Sequence, residues 1–85
     1  MQIVNNTLFA LAIRLNGREH AALIPGGMFY FSAREIYGSQ GQQMTIQLVF
    51  SDRGRLIGTG DYSFYVPTQG VYAHQYLVGP SDIRR

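Results

Sequence analysis

The chain contains no cysteine and no lysine, and it has no long run of apolar residues. Without cysteine it can form neither a disulfide nor a thiolate nucleophile, and this absence favours a reducing compartment such as the cytoplasm. The N-terminus lacks a basic stretch followed by an uninterrupted apolar core, and residues 7–15 are too few to cross a bilayer. We therefore expect neither a signal peptide nor a membrane span.

Because lysine is missing, all seven basic residues are arginine, and the formal net charge is +2. Arginine-only usage is compatible with a GC-rich genome as well as with a need for planar, bidentate donors. The arginines are not interleaved with the tyrosines of the chain, as a surface for stacking and binding single strands requires. This distribution argues against a nucleic-acid partner.

No residue pattern in the chain predicts catalysis, metal binding or cofactor binding. Asp61, Ser63 and His74 are the residue types of a hydrolase triad, but on an open sheet no turn or helix N-terminus would supply oxyanion donors. Residues 58–63 begin like a dinucleotide-binding fingerprint, yet the final glycine and the following helix are missing. The two histidines are far apart in sequence, so a metal site is not expected either. We expect a protein that is not an enzyme.

Turn signals dominate what the chain does contain. They separate alternating or β-rich stretches, which predicts a single all-β domain over residues 1–85. The expected fold is a small antiparallel β-sandwich or partly open barrel of about six strands, built from consecutive hairpins, with an SH3-like or OB-like barrel as the alternative. The signals are Asn16-Gly17, Pro25-Gly26-Gly27, Asp52-Arg53-Gly54 and Pro67-Thr68-Gln69-Gly70.

The first predicted hairpin turns at Asn16-Gly17, because both residues tolerate the positive φ angles of a two-residue type I′ turn. This register sets Arg14 opposite Glu19 and Ile13 opposite His20, with His20 at the rim of an apolar face. The expected apolar face carries Phe9, Leu11, Ile13, Ala22 and Ile24.

After the turn at Pro25-Gly26-Gly27, Met28-Phe29-Tyr30-Phe31 is predicted to be a strand. Ser32-Ala33-Arg34-Glu35 matches a helix capping box, with Gly38 placed to end one turn. A short helical turn and a continued strand or loop both remain open there. Residues 38–43 are expected to form a polar loop.

The second hairpin is predicted to turn through a three-residue loop, Asp52-Arg53-Gly54, with Gly54 in the left-handed conformation. This loop keeps core residues opposite core residues, whereas a four-residue loop opposes them to polar ones. Gly58 and Gly60 then lie on the buried face, where they admit bulky neighbours from the facing layer or mark a bulge. The predicted pairs are Phe50 with Leu56, Leu48 with Gly58, Ile46 with Gly60, and Met44 with Tyr62.

The third hairpin is predicted to close on residues 67–70, and residues 79–85 are expected to form a frayed basic tail. On the buried face this register opposes Val66 to Val71, Phe64 to Ala73, Tyr62 to Gln75 and Gly60 to Leu77. On the other face it opposes Tyr65 to Tyr72, Ser63 to His74 and Asp61 to Tyr76.

Four residues of that second face, Tyr65, Tyr72, His74 and Tyr76, make up what we call the tyrosine patch. Tyrosine offers a large amphipathic contact area at low entropic cost, which suits protein interfaces. We therefore expect a non-enzymatic interaction or assembly module that binds a protein or itself, as a homo-oligomer, through this patch or a free edge strand.

Three other interpretations of the tyrosine patch remain open. The rings can simply pack across strands within the fold, bind carbohydrate or another small ligand as in a lectin, or stack on single-stranded nucleic acid. Separately, Asn5-Asn6-Thr7 fits the N-glycosylation pattern, which matters only in a secreted eukaryotic protein.

Overall fold

The computed structural model describes residues 1–31, 41–66 and 75–84. Within these ranges the chain forms strands and one short 3₁₀ turn. The strands are β1 (Gln2–Asn5), β2 (Ala10–Leu15), β3 (Arg18–Leu23), β4 (Met28–Tyr30), β5 (Gln43–Asp52), β6 (Arg55–Tyr65) and β7 (Gln75–Val78), and the 3₁₀ turn spans Pro80–Asp82.

The strands form two packed sheets. A three-stranded sheet has the order β4-β1-β7, and a four-stranded sheet has the order β3-β2-β5-β6. The predicted all-β fold is confirmed, as an open two-layer arrangement and not a closed barrel. The central strand β1 pairs antiparallel with β4 but parallel with β7, a pairing that consecutive hairpins do not produce.

The core lies between the sheets because alternate residues of each strand point inward. Strand β5 shows the pattern most clearly, since four of its apolar residues, Met44, Ile46, Leu48 and Phe50, are buried and alternate with exposed or half-buried ones. They pack with buried residues of the other strands and of the positions that directly follow β4 and β6, among them Ile3, Leu11, Ile13, Phe31, Phe64, Val66 and Val78.

The first hairpin turns where predicted but changes register within its strands. Asn16 and Gly17 have φ angles of 54° and 76°, and Arg14 pairs with Glu19 as expected. Ile13, however, pairs with Ala21, so His20 is the extra residue of a β-bulge. The bulge reverses the alternation beyond it. Leu23 is therefore buried, and the prediction that Ala22 and Ile24 lie on the apolar face is wrong.

The second hairpin also contains a bulge, directly before Gly58, and a bulge was one of the two alternatives that the sequence left open for Gly58 and Gly60. Gly54 is left-handed as predicted, with φ of 78°, but Arg53 is too, and the turn has only these two residues. The extra residue needed to keep core opposite core lies in β6 at Ile57, so Phe50 pairs with Gly58 instead of Leu56. Each predicted pair is therefore wrong by two positions along β6. A shift of two positions leaves every side chain on the same face of the sheet, so Gly58, Gly60 and Tyr62 still lie on the predicted face. Leu56 itself is exposed.

The third predicted hairpin is wrong at its described end. Gln75 pairs with Gln2 and Leu77 with Val4, so β7 belongs to the sheet opposite β6 and does not extend it. The pairs predicted for residues 71–74, the turn at 67–70 and the capping box at 32–35 lie outside the described residues, as do residues 38–40 of the expected polar loop. In the remainder of that loop, Gln43 already belongs to β5.

A buried asparagine links the two layers. The side-chain amide of Asn5 donates to the main-chain oxygens of Phe9 at 2.8 Å, Ile24 at 3.1 Å and Leu23 at 3.3 Å. Its side-chain oxygen accepts from the Thr7 hydroxyl at 2.7 Å. Asn5 has no exposed surface, so in this fold its amide is not accessible to a glycosylating enzyme.

Candidate functional site

The structure does not bring the described members of the tyrosine patch onto one surface. Tyr65 lies on β6 opposite Gln43, and 58% of its side chain is exposed on the outside of the four-stranded sheet. Tyr76 lies on β7 in the other sheet and is half-buried. Tyr72 and His74 lie outside the described residues.

Tyr76 points into the space between the sheets, not out to solvent. Its ring stacks on that of Tyr62, with 3.7 Å between centroids and 13° between planes, and its hydroxyl donates to Asp82. Burial raises the pKa of Tyr76 well above its ordinary value, and the hydrogen bond to Asp82 adds to the shift. Burial also raises the pKa of Tyr62. For Tyr76, the structure favours packing within the fold over an exposed role.

Residues 79–84, which we call the closing segment, cross from β7 to the outer edge of β6. The Asp82 carboxylate accepts from the Gly79 amide at 2.8 Å, and Thr59 and Arg84 exchange main-chain hydrogen bonds of 3.0 and 2.8 Å. The segment lies against the two glycines of β6. A Cβ built on Gly58 would stand 2.6 Å from the Arg84 oxygen, and one on Gly60 would collide with the Asp82 oxygen.

This arrangement corrects one expectation and refines another. The described part of the tail is not frayed but folded onto β6. The glycines, which were expected to admit bulky neighbours from the facing layer or to mark a bulge, make room for the main chain of the closing segment and, at Gly58, for the side chain of Ile83.

The outer surface of the three-stranded sheet carries the main group of exposed apolar side chains. Pairing places Met28, Val4 and Leu77 in one row across β4, β1 and β7, with Tyr30 beside Met28 on the same strand. Met28 is 60%, Tyr30 63% and Leu77 56% exposed, and Val4 is half-buried between them. We call these four residues the apolar face.

Among the described residues, the outward neighbours of the apolar face on β1 and β7 are uncharged. Gln2 and Gln75 complete the outward positions of β1 and β7, and the Gln75 amide donates to Gln2 at 2.8 Å. The Gln2 amide in turn approaches the sulfur of Met28 at 3.0 Å. The outward side chains of the three described strands therefore include no charged group, a composition found at the centre of protein interfaces.

The outer surface of the four-stranded sheet is polar by contrast. Arg14, Gln47 and Asp61 form one row across β2, β5 and β6, and Thr45 and Ser63 hydrogen bond at 2.8 Å two residues along. A shallow depression of about 300 Å³ lies at that row, lined by Arg14, Gln47, Leu48, Val49, Thr59, Gly60 and Asp61.

Two further sequence-based candidates can be placed. The ring of His20 lies 5.9 Å from that of Phe31, at the rim of the core, which agrees with its expected position. Ser63 bonds to Thr45, and Asp61 is exposed on the same face. In the described ranges, no three residues among His, Asp and Glu cluster as a metal site would require, and no helix is long and apolar enough to cross a membrane.

Sequence reasoning missed the apolar face for a specific reason. The alternation in Met28-Phe29-Tyr30-Phe31 places Met28 and Tyr30 on one face of the strand and the two phenylalanines on the other, so the sequence indicated the β4 part of this surface. Only the pairing of β1 with both β4 and β7 adds Val4 and Leu77 to the same surface.

We compared the chain with protein-family models, with curated proteins and with solved structures, and none of the three comparisons found a match.

Proposed function

We propose that this chain is a non-enzymatic interaction module that binds a protein partner through the apolar face. The observation that carries the proposal is the uncharged row Met28-Val4-Leu77 with the exposed ring of Tyr30 beside it. Exposed apolar groups gathered on one surface commonly mark a contact site, whereas scattered ones do not. The tyrosine-mediated interaction expected from the sequence is thus assigned to Tyr30.

The extended row of side chains across three strands supports a protein over a small ligand. A small molecule is usually held in a concave site that covers most of its surface. Three strands spaced about 4.8 Å apart instead present a strip of aliphatic, thioether and aromatic groups. A partner that covers such a strip gains apolar burial without having to desolvate a charge.

The test is photo-crosslinking of the full chain in its native host. A benzophenone side chain introduced at position 30 should give a discrete covalent adduct with another protein chain. The adduct should disappear when Met28→Asp, beside Tyr30 on the same strand and the same face, is added. The matched control carries the probe at Leu56, which is 64% exposed but lies on β6 of the other sheet, and should give no such adduct. Equal adducts from both positions, or none from position 30, would contradict the proposal.

A second candidate function concerns the polar depression of the four-stranded sheet. Arg14, Gln47, Thr59 and Asp61 place a cationic donor, an amide, a hydroxyl and a carboxylate around one hollow, a set suited to a small polyhydroxylated ligand such as a sugar. Titration with a panel of monosaccharides, followed by amide chemical shifts, tests this alternative. Saturable shifts at Gln47 and Thr59 that vanish in Gln47→Ala would support it, and unchanged spectra at millimolar sugar would contradict it.

A further inference from the structure

The four strands at the sheet margins differ in how their edges are protected. Strand β3 carries Arg18 and Glu19 and a bulge at His20, and β6 is paired to Arg84 of the closing segment at Thr59. Charges, bulges and covering segments are the usual protections of an edge strand. Strand β7 runs directly into the closing segment. In the described part of the chain, β4 has neither a charge, nor a bulge, nor a covering segment.

The hydrogen bonds to β1 show which groups of β4 face outward. The main-chain amide of Phe31 donates to the carbonyl oxygen of Met1 at 2.9 Å, and the main-chain amide of Asn5 donates to the carbonyl oxygen of Gly27 at 2.9 Å. The main-chain groups of the odd-numbered residues around Phe29 therefore point toward β1. In an antiparallel pair, alternate residues direct their main-chain groups to opposite sides. Met28 and Tyr30 therefore direct two N–H donors and two carbonyl acceptors away from the sheet.

We propose that the partner bound by this module is a second copy of the chain, joined through β4. The inference rests on the proposed function and specifies its partner. Two β4 strands related by a two-fold axis at Phe29 would pair antiparallel, with Met28 opposite the partner's Tyr30 and Tyr30 opposite the partner's Met28. This register satisfies all four outward groups of each edge and creates four main-chain hydrogen bonds between the subunits.

The side chains match the same register. Each thioether of Met28 would lie against the ring of the partner's Tyr30, a favourable sulfur–aromatic contact. The two three-stranded sheets would become one sheet of six strands, and the row Met28-Val4-Leu77 of each copy would lead to Tyr30 of the other, so that two Met28 and two Tyr30 side chains would meet between the subunits. A foreign extended peptide would gain the same hydrogen bonds, but the chain itself supplies the Met28 and Tyr30 partners that this register pairs, so the structure favours a second copy.

Cysteine crosslinking tests this register directly, because the native chain contains no cysteine to compete. Two proteins are prepared, one with Met28→Cys and one with Tyr30→Cys, both at exposed positions. In the proposed dimer, position 28 faces position 30 of the other chain and never its own equivalent. An equimolar mixture under mild oxidation should therefore form a mixed disulfide at least about tenfold faster than either protein alone. Equal rates in the mixture and in the separate proteins would overturn the register.

A mass measurement in solution provides an independent arm. The native chain at 100 μM should show the mass of a dimer by light scattering on a sizing column. Tyr30→Pro removes an outward N–H at an edge position where proline is tolerated, and it should weaken the dimer at least about thirtyfold. Leu77→Ser, on the apolar face but away from the edge, should weaken it by less than about threefold. A native monomer at this concentration, or an undiminished dimer in Tyr30→Pro, would contradict the inference.

The two proposals fail in different ways. If the chain remains monomeric while the probe at position 30 is crosslinked to a different protein in a manner that depends on Met28, the interaction function stands and the second copy is excluded. If neither self-association nor a Met28-dependent adduct is found, both proposals are wrong.

Discussion

At one side of the sandwich, β6 and β7 are bridged by the closing segment, whereas at the other side β3 and β4 lie next to each other without a described segment across them. The closed side combines the Tyr62–Tyr76 stack, the bonds of Asp82 and the pairing of Arg84 with Thr59. The open side is held from within, by the ring contacts of Phe31 with Phe29 and His20, and by the hydrogen bonds of Asn5.

The difference shows that a small chain can protect its edges unequally. An edge strand whose main-chain groups are unpaired tends to recruit another strand. Here the closing segment satisfies Thr59 on the closed side, and charges and a bulge protect β3 on the open side. In the described part of the chain, the edge of β4 retains the uncharged, regular geometry that a partner strand could use, and it lies beside the apolar face.

The largest effect is expected from filling the glycine groove on the closed side. Gly60→Val should lower the free energy of unfolding by about 3 kcal/mol, because its Cβ would collide with the main chain at Asp82 and displace the closing segment. Urea melts followed by circular dichroism provide the measurement. Gly79→Ala is the matched control, since no atom lies within 4 Å of its added Cβ, and it should stay within about 0.5 kcal/mol of the native chain. Equal melts for both variants would show that the segment is not packed on β6.

The next effect concerns the open side. Asn5→Ala should cost about 2 kcal/mol, because it removes a buried amide that bonds to Phe9, Leu23 and Ile24 and leaves their oxygens less well satisfied. Asn6→Ala, at an exposed neighbour, should be nearly neutral. Denaturant midpoints of the two variants decide the matter. If Asn6→Ala is as destabilising as Asn5→Ala, the side-chain network is not what holds this side together.

The sequence allowed the strands and turns to be predicted better than their partners. The all-β class, the turn at Asn16-Gly17 and the left-handed Gly54 follow from local rules, but the loop predicted over Asp52-Arg53-Gly54 is one residue too long, because Asp52 pairs with Arg55. The bulge at His20 could not be predicted locally, and the one at Ile57 was only one of two alternatives for the neighbouring glycines. Each bulge inserts one residue so that larger apolar groups such as Leu23 are buried, and that gain depends on the facing sheet.

The candidate site was harder to predict because it depends on long-range pairing. Assigning Tyr76 to a hairpin with β6 placed it on an exposed face, but β7 pairs in parallel with β1, which lies more than 70 residues earlier in the chain. Nothing in the local pattern of Gln75-Tyr76-Leu77-Val78 distinguishes these two partners. The parallel pairing turns Tyr76 inward and brings Leu77 to the outer surface, opposite to the expectation for both.

A smaller effect is expected from the hydroxyl of Tyr76. Tyr76→Phe keeps the ring that stacks on Tyr62 but removes the hydrogen bond to Asp82, and it should cost about 1.5 kcal/mol at pH 7. Tyr65→Phe is the matched control, because Tyr65 is exposed on the outer face of β6, whereas Tyr62 and Tyr76 stack between the two sheets. The two losses are compared by thermal and urea melts. A larger loss in Tyr65→Phe would indicate that the closed side does not depend on this bond.

The raised pKa of the Tyr76 hydroxyl predicts how the stability of the fold changes with pH. Because the pKa of Tyr76 is raised in the folded chain, folding favours the protonated phenol, and this contribution is complete below the ordinary tyrosine pKa of about 10. Above that pH the unfolded chain loses the proton first, so the midpoint of thermal unfolding should begin to fall near pH 10 and should still be falling at pH 11. The fall should be smaller in Tyr76→Phe, and some should remain because the pKa of Tyr62 is raised as well. Identical pH profiles would contradict this account.

The smallest effect on folding, and the sharpest test of the comparison, comes from removing the charges of β3. Arg18→Thr combined with Glu19→Thr leaves the net charge unchanged, and because both positions are exposed, the free energy of unfolding should change by less than about 0.5 kcal/mol. The edge of β3 would then lack its charges, and species larger than a dimer should appear in light scattering at 100 μM.

Asp52→Thr combined with Arg55→Thr is the control, since it removes the same charges from a hairpin whose outer strand is already paired at Thr59. If both double variants associate equally, loss of charge alone explains the result. If neither does, the bulge at His20 is sufficient to protect β3, and β4 differs from it in geometry more than in charge.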